Sequence, residues 1–154
     1  ALQTIRRHRI LETYLTEVLG YPWDRVHDEA ERLEHAASEE LIDRMAAALG
    51  EPTVDPHGAP IPTREGAIHE VESMSLAELP RGEPARLSRV GDDDPRLLRY
   101  LDELGLYLGA VVTVLDRAPF EGPVTLRVGG GKDAYDRVIG LPVAEALRVE
   151  RLED

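Results

Sequence analysis

"RVHDEAERLEHAASEE", residues 25–40, packs two histidines and a run of carboxylates into little more than four helical turns. At roughly 100° per residue, a helix sets Glu31, Glu34 and His35 at about +40°, −20° and +80° from His27. Val26, Ala30, Leu33 and Ala37 fill the neighbouring arc. The spacing therefore predicts an amphipathic helix whose buried stripe is bordered by His27, Glu31, Glu34 and His35. Asp28, Glu29 and Arg32 point away, toward solvent. Such a face is either a metal site or the wet side of an acidic surface helix, and this helix alone leaves both readings open.

On either side the pattern stays helical. Ile5, Leu11, Leu15, Val18 and Leu19 recur at helical spacing, predicting a helix over 1–20 that stops at Gly20. His8 and Glu12 lie four apart on one face of it. Asp24 is the expected N-cap of the second helix. Ser38 is the expected cap of a third helix over 39–49, closed by Gly50. "EPTVDPHGAPIP" (51–62) carries four prolines and a glycine, which excludes a helix or central strand and leaves an ordered turn or a linker.

From Ser75 the texture changes. "ARLSRVG" (85–91), "AVVTVLDRA" (110–118), "GPVTLRVG" (122–129) and "YDRVIGLP" (135–142) are short β-type runs divided by Gly/Pro turns. "DPRLLRYLDELG" (94–105) is a short helix with Pro95 at its first position and Gly105 as its stop. "VAEALRVERL" (143–152) begins as a helical turn and ends as a strand. The expected fold is α+β. A three-helix domain over 1–66 is joined by a linker at 67–74 to a small, partly open SH3-like barrel over 75–154.

Composition narrows the function. Against 18 Lys and Arg stand 30 Asp and Glu, a net charge of −12, so this chain is itself no reader of phosphate backbones. Eight of the acidic residues fall between Asp24 and Asp43. There is no Cys, which removes disulfides and thiolate ligands alike. No apolar run is long enough to cross a bilayer. The first residues lack a basic-then-apolar leader pattern, so a cytoplasmic location is the default expectation.

If the first two helices pack together, His8 and Glu12 join the donors of the second. Such a cluster of carboxylates repels itself unless a cation neutralises it. Imidazole plus carboxylate without sulfur suits Mn(II), Fe(II), Co(II) or Zn(II), and is too nitrogen-rich for a typical Ca(II) site. Other metal patterns fail: there is no H-E-x-x-H, and Arg32 stands where Glu-x-x-His would need its Glu. No nucleophile elbow supports Ser/His/Asp hydrolysis. "VGGGKD" (128–133) reads as a hairpin turn rather than a phosphate loop.

At "RHRILETYL", "VHDEAERLEHAASEEL" and "PHGAPIP", in that order, the chain resembles the diphtheria toxin repressor family of iron- and manganese-dependent transcription regulators. The β half, with "LRYLDELGLYLGAVVTVLDR", is similar to the family's SH3-like (FeoA-like) domain. The resemblance implies a homodimer formed by the helical domain. It also implies operator DNA bound through an N-terminal winged helix-turn-helix domain that this sequence does not match. Metal binding would promote the DNA-binding dimer, and no enzymatic step is implied.

Carried over by position, His8, Glu12 and His27 form one implied metal cluster. Glu31, Glu34 and His35 form a second, completed in the family by residues outside this sequence and so less well formed here. The SH3-like domain is expected to donate Asp94 to the first cluster, with Asp93 beside it. The family's other donor position falls on Leu97, which cannot ligate, and Asp94 reads equally as a helix N-cap. Glu31 stands where the iron-responsive branch has a sulfur ligand, which favours Mn(II), with Fe(II) the alternative and Zn(II) or Co(II) as substitutes. The apolar faces of helices 1–19 and 38–49 are the expected dimer contact. The competing reading is a metal-independent SH3-like module that binds proline-rich segments, with 51–62 as its ligand in cis. Phe120 as the sole Phe and 5% aromatics provide poorly for such a groove.

Overall fold

A computed structural model describes residues 2–152. Two compact units divide the chain: residues up to 71 together with 92–98, and residues 72–91 together with those from 99 onward.

The first unit is helical, with α1 (Leu2–Glu17), α2 (Val26–Glu34) and α3 (Glu39–Ala48). Its core joins Ile10, Leu11 and Leu15 of α1 to Val26 and Ala30 of α2, Ile42 and Ala46 of α3, and Ile61. Each fully buried Leu or Ile contributes about 1.5–3 kcal/mol relative to exposure. Helix α1 ends in a turn in which the Tyr21 N–H returns to the Leu15 carbonyl at 3.0 Å, with Gly20 at φ +75°. Ser38 caps α3, its Oγ accepting from the Leu41 N–H at 3.1 Å.

Two local expectations are corrected. The N-cap position of α2 is Arg25 rather than Asp24, without a side-chain cap, and the Pro22 carbonyl accepts the N–H groups of Arg25 and Val26. Helix α2 also stops at Glu34, short of Ala37. The N–H groups of Ala36 and Ala37 both turn back to the Leu33 carbonyl, and Leu33 is left exposed rather than in the core.

Residues 51–62 form an ordered turn. Asp55 Oδ1 accepts the N–H groups of His57 and Ala59, each at 2.9 Å, and Val54 bridges Pro60. Gly58, at φ +85°, supplies the left-handed residue that lets this turn close. The turn buries His57, Ala59 and Ile61.

The second unit holds a six-stranded antiparallel sheet in the order β1-β6-β2-β3-β4-β5. The strands are β1 (Met74–Ser75), β2 (Pro84–Val90), β3 (Val111–Arg117), β4 (Val124–Val128), β5 (Tyr135–Ile139) and β6 (Leu147–Arg151). Period-2 alternation buries Val112 and Val114 of β3 and Val124, Leu126 and Val128 of β4. The glycine-rich 129–134 joins β4 to β5 as a hairpin. Short helix α5 (Leu141–Ala146) precedes β6. Two-residue β1 is too short for periodicity to reveal. Helix α4 (Pro95–Leu104) closes at Gly105, φ +75°, whose carbonyl accepts from Tyr135 Oη at 2.6 Å. An α+β fold with three helices before an SH3-like β domain is what the periodicity implied. The division into units differs from the expected contiguous split, because residues 92–98 count with the helices.

Candidate metal centre

Helix α1 presents His8 and Glu12 one turn apart, α2 presents His27, and the segment 92–98 brings Asp92 to them. His8 Nε2 lies 3.3 Å from Glu12 Oε1 and 3.2 Å from His27 Nδ1. Asp92 Oδ2 is 2.9 Å from His27 Nδ1 and 3.8 Å from His8 Nε2. Glu12 Oε2 is 3.7 Å from His27 Nδ1. One donor atom from each of His8, Glu12, His27 and Asp92 thus falls within 4.8 Å of the others.

The outer nitrogens of both histidines meet carboxylates. His8 Nδ1 lies 2.9 Å from Glu34 Oε2, and His27 Nε2 lies 3.3 Å from Glu31 Oε1. A carboxylate on one ring nitrogen fixes the tautomer and the ring orientation, and leaves the other nitrogen to face the centre. Glu34 and Glu31 therefore turn to the first cluster. His35 is 85% exposed in its side chain, with its Nε2 3.8 Å from Glu34 Oε1. The structure does not gather Glu31, Glu34 and His35 into a second compact group.

Asp94 is not in the cluster. Its Oδ1 accepts from the Arg96 N–H at 3.0 Å at the start of α4, and it pairs with the Arg96 guanidinium. The residue that reaches His8 and His27 is Asp92, two positions earlier. The "DDDP" run offered a signal: Asp94, next to Pro95, is taken by the cap, which leaves its neighbours free to point elsewhere. His57 and Asp55 are the other functional candidates that sequence reasoning missed. His57 Nδ1 lies 3.5 Å from Glu12 Oε2 and 3.9 Å from Asp92 Oδ2. Asp55 groups with Glu12 and His57, all three buried.

Electrostatics show what the centre lacks. Glu12 is fully buried, and neither of its carboxylate oxygens meets a hydrogen-bond donor in good geometry. Burial pushes its carboxyl up to about 8, with Asp92 adding to the rise. Burial raises Asp55 as well. For His8 the burial penalty is outweighed by Asp92, Glu12 and Glu34, which raise it to about 10. Burial likewise opposes ionisation of Asp92, but His8, Glu12 and His27 hold it well below the usual carboxylate range. A buried carboxylate without donors is costly. A divalent cation removes that cost and uses the inward nitrogens, so this oxygen–nitrogen set fits one. The arrangement gathers imidazole and carboxylate donors that can hold an ion.

Known proteins give the same direction. The iron dependent repressor metal binding and dimerisation domain matches residues 1–63, and the FeoA domain matches 74–151. The iron-dependent repressor IdeR of Mycobacterium bovis is 33% identical over 99% of this chain and 69% of its own length. The diphtheria toxin repressor of Corynebacterium diphtheriae is 40% identical over 99% of the chain and 69% of its own length. A manganese-dependent transcriptional repressor solved in complex with manganese superposes with a TM-score of 0.93 at 41% identity, covering 99% of this chain and 71% of that one. With its helical and FeoA parts both matched in order, the chain belongs to the diphtheria toxin repressor family.

Proposed function

We propose that this chain is the metal-sensing and dimerising portion of a manganese-dependent transcriptional regulator, with His8, Glu12, His27 and Asp92 holding the ion. The observation that carries the proposal is Glu12, fully buried between two histidines with no donor for either oxygen. A bound ion engages both oxygens of this carboxylate, which deep burial otherwise leaves with a poorly aligned His8 nitrogen 3.3 Å away. Glu34 and Glu31 orient His8 and His27 from outside. Asp92 ties the segment before α4 to helices α1 and α2, so occupancy favours conformations in which these three elements are drawn together. The ion shifts that equilibrium only as far as its affinities for the two states differ.

Mn(II) is favoured over Fe(II) because every candidate donor is nitrogen or oxygen and Glu31, rather than a sulfur residue, stands beside His27. Zn(II) and Co(II) suit the same donors as substitutes. The homodimer contact is assigned to α1 and α3, whose ends expose Val18, Leu19 and Leu41. Operator DNA is read by residues other than these, since a net charge of −12 repels phosphate. A cytoplasmic location belongs to the same proposal, and no helix among the described residues is long and apolar enough to cross a membrane. The metal-independent peptide-binding reading is disfavoured, since residues 51–62 close on themselves in a turn of the helical unit and Phe120 stands exposed on a turn.

Calorimetric titration of the chelator-stripped chain with Mn(II) tests the reading. One site is expected, abolished in the His8→Ala/His27→Ala double variant. Absence of Mn(II) uptake by the wild-type chain would sink it.

A further inference from the structure

Arg6 and Arg7 precede His8 on α1 but take no part in the metal centre. Together with Arg64 they line a cavity of about 190 Å³ where the start of α1 meets α3, to which α3 adds Glu39 and Asp43. The cavity lies at the opposite end of α1 from the exposed Val18 and Leu19. The Arg6 side chain is 8% exposed, a depth at which a guanidinium is normally fully paired. Its partner is Asp43 Oδ1, at a long 3.5 Å, which leaves the rest of its five donors to the cavity it lines. Asp43 Oδ2 is taken by Arg64 at 3.2 Å. Arg64 is held in place by its backbone. Its carbonyl accepts from Gln3 Nε2 at 2.7 Å, and Thr63 Oγ1 closes the turn around it by accepting the Ala67 N–H at 3.0 Å. Arg7 is partly buried and, among the described residues, makes no ion pair or side-chain hydrogen bond. Three guanidinium groups therefore face one carboxylate that pairs with two of them, while Glu39 lines the cavity without pairing. The surplus is local, because salt screens exposed charges beyond roughly 8–10 Å, and the acidic remainder of the chain does not cancel it. Guanidinium groups recognise planar carboxylates and tetrahedral phosphates through two-pronged hydrogen bonds. A planar carboxylate serves two of the three here, as Asp43 does. A tetrahedral oxyanion offers separate oxygens to all three and matches the surplus charge.

We propose that this cavity is a binding site for a phosphate group, held by Arg6, Arg7 and Arg64 and separate from the metal centre. The site does not depend on the metal-sensor reading, so the test uses the metal-free chain, dialysed free of chelator. Side-chain ¹⁵N NMR follows the arginines while inorganic phosphate replaces chloride at constant ionic strength. The Nε–H signals of Arg6, Arg7 and Arg64 are expected to shift along one saturating curve. Those of Arg44 and Arg127, which pair with Glu40 and Asp136 on the surface, should stay still. Arg7→Gln removes a group that has no partner and should weaken phosphate binding by about tenfold. Arg44→Gln should leave it unchanged. A parallel titration with a nucleoside 5′-monophosphate separates the two sources of such a group. Tighter binding than inorganic phosphate marks a phosphate ester as the occupant, weaker binding marks free phosphate, and either supports the site. Acetate bound as tightly as phosphate, shifts that spread over all arginines without saturating, or an unchanged affinity in Arg7→Gln each overturn the proposal. If thermal melting shows that Arg7→Gln does not fold, Arg64→Gln, at a side chain 68% exposed, decides by the same loss.

Discussion

His27 and His35 sit eight residues apart on and just after the same helix, in a stretch where both read as ligands. The structure treats them differently. His27 is 20% exposed, with Asp92 and Glu12 at one nitrogen and Glu31 at the other. His35 is the C-cap of α2, largely in solvent, with Glu34 as its carboxylate neighbour. Helical phase brought both to the edge of the buried stripe. What separates them is whether distant chain arrives to finish the site: α1 and residues 92–98 come to His27, and nothing comparable among the described residues comes to His35. A ligand pattern on one helix is therefore half a site, and its meaning is set by what packs against it.

The strongest way to break this contrast is at Glu12. Glu12→Gln keeps the shape and removes the charge, and Mn(II) affinity should fall by about a hundredfold or more. The metal-free variant should melt no lower than wild type, because an amide replaces a buried, protonated carboxyl whose oxygens have no well-placed hydrogen-bond partner. A large loss of metal-free stability with unchanged affinity would make Glu12 a structural residue instead. Next in size is a paired test of the "DDD" run. Asp92→Asn should weaken Mn(II) binding by about tenfold. Asp94→Ala should leave binding unchanged and lower the melting temperature by roughly a few degrees through loss of the α4 cap. The reverse outcome would restore Asp94 as the ligand.

Much of this was legible in the sequence. Helical and alternating periodicities gave the α+β class and the order of elements, and the i,i+4 pair His8–Glu12 pointed to α1 as partner of α2. Asp92 was only half legible: Pro95 marks Asp94 as the cap, but Asp92 and Asp93 differ only in backbone direction, and positional matching carried the role to the one that caps a helix. His57 was hidden for another reason. In "VDPHGAP" the prolines and glycine mark a turn, but only the Asp55 Asx-type bonds and the stack on Trp23 show that the turn drives its histidine inward. The expected burial of Leu33 failed although it lies within α2 in phase with the buried Val26 and Ala30.

Acid–base linkage sharpens the contrast with a smaller effect. His8 is raised from 6.5 to about 10, so its contribution to folding is fully present below pH 6.5 and is lost as pH rises toward 10. Glu12 is raised from 4.5 to about 8, so the folded chain holds a proton that the unfolded chain has released between those values, and stability again falls with rising pH. Asp92 is lowered, so its contribution is present above 3.8 and lost in acid. The metal-free chain should therefore melt highest near pH 4–5 and decline toward pH 8. Mn(II) must displace the protons on His8 and Glu12, so the melting-temperature gain from Mn(II) should grow over the same interval. Calorimetry in buffers of different ionisation enthalpy should register proton release on binding. A gain independent of pH, with no proton release, would place the ion away from these groups.

The smallest effect is expected at the other end of α2. His35→Ala removes an imidazole that is 85% exposed and whose nearest carboxylate, Glu34, is already engaged by His8 at 2.9 Å. Mn(II) affinity of this chain should change by less than about twofold, since the side chain orients nothing at the His8–His27 centre, and surface changes of this kind leave stability within about 0.5 kcal/mol. Glu34→Ala makes the comparison decisive. It frees the outer nitrogen of His8 and should weaken binding by about tenfold or more, as expected for a group that orients a ligand. If His35→Ala instead matched Glu34→Ala, the two residues would act as one ligand pair. The far end of α2 would then hold an ion of its own, with the solvent-facing His35 as a ligand beside Glu34.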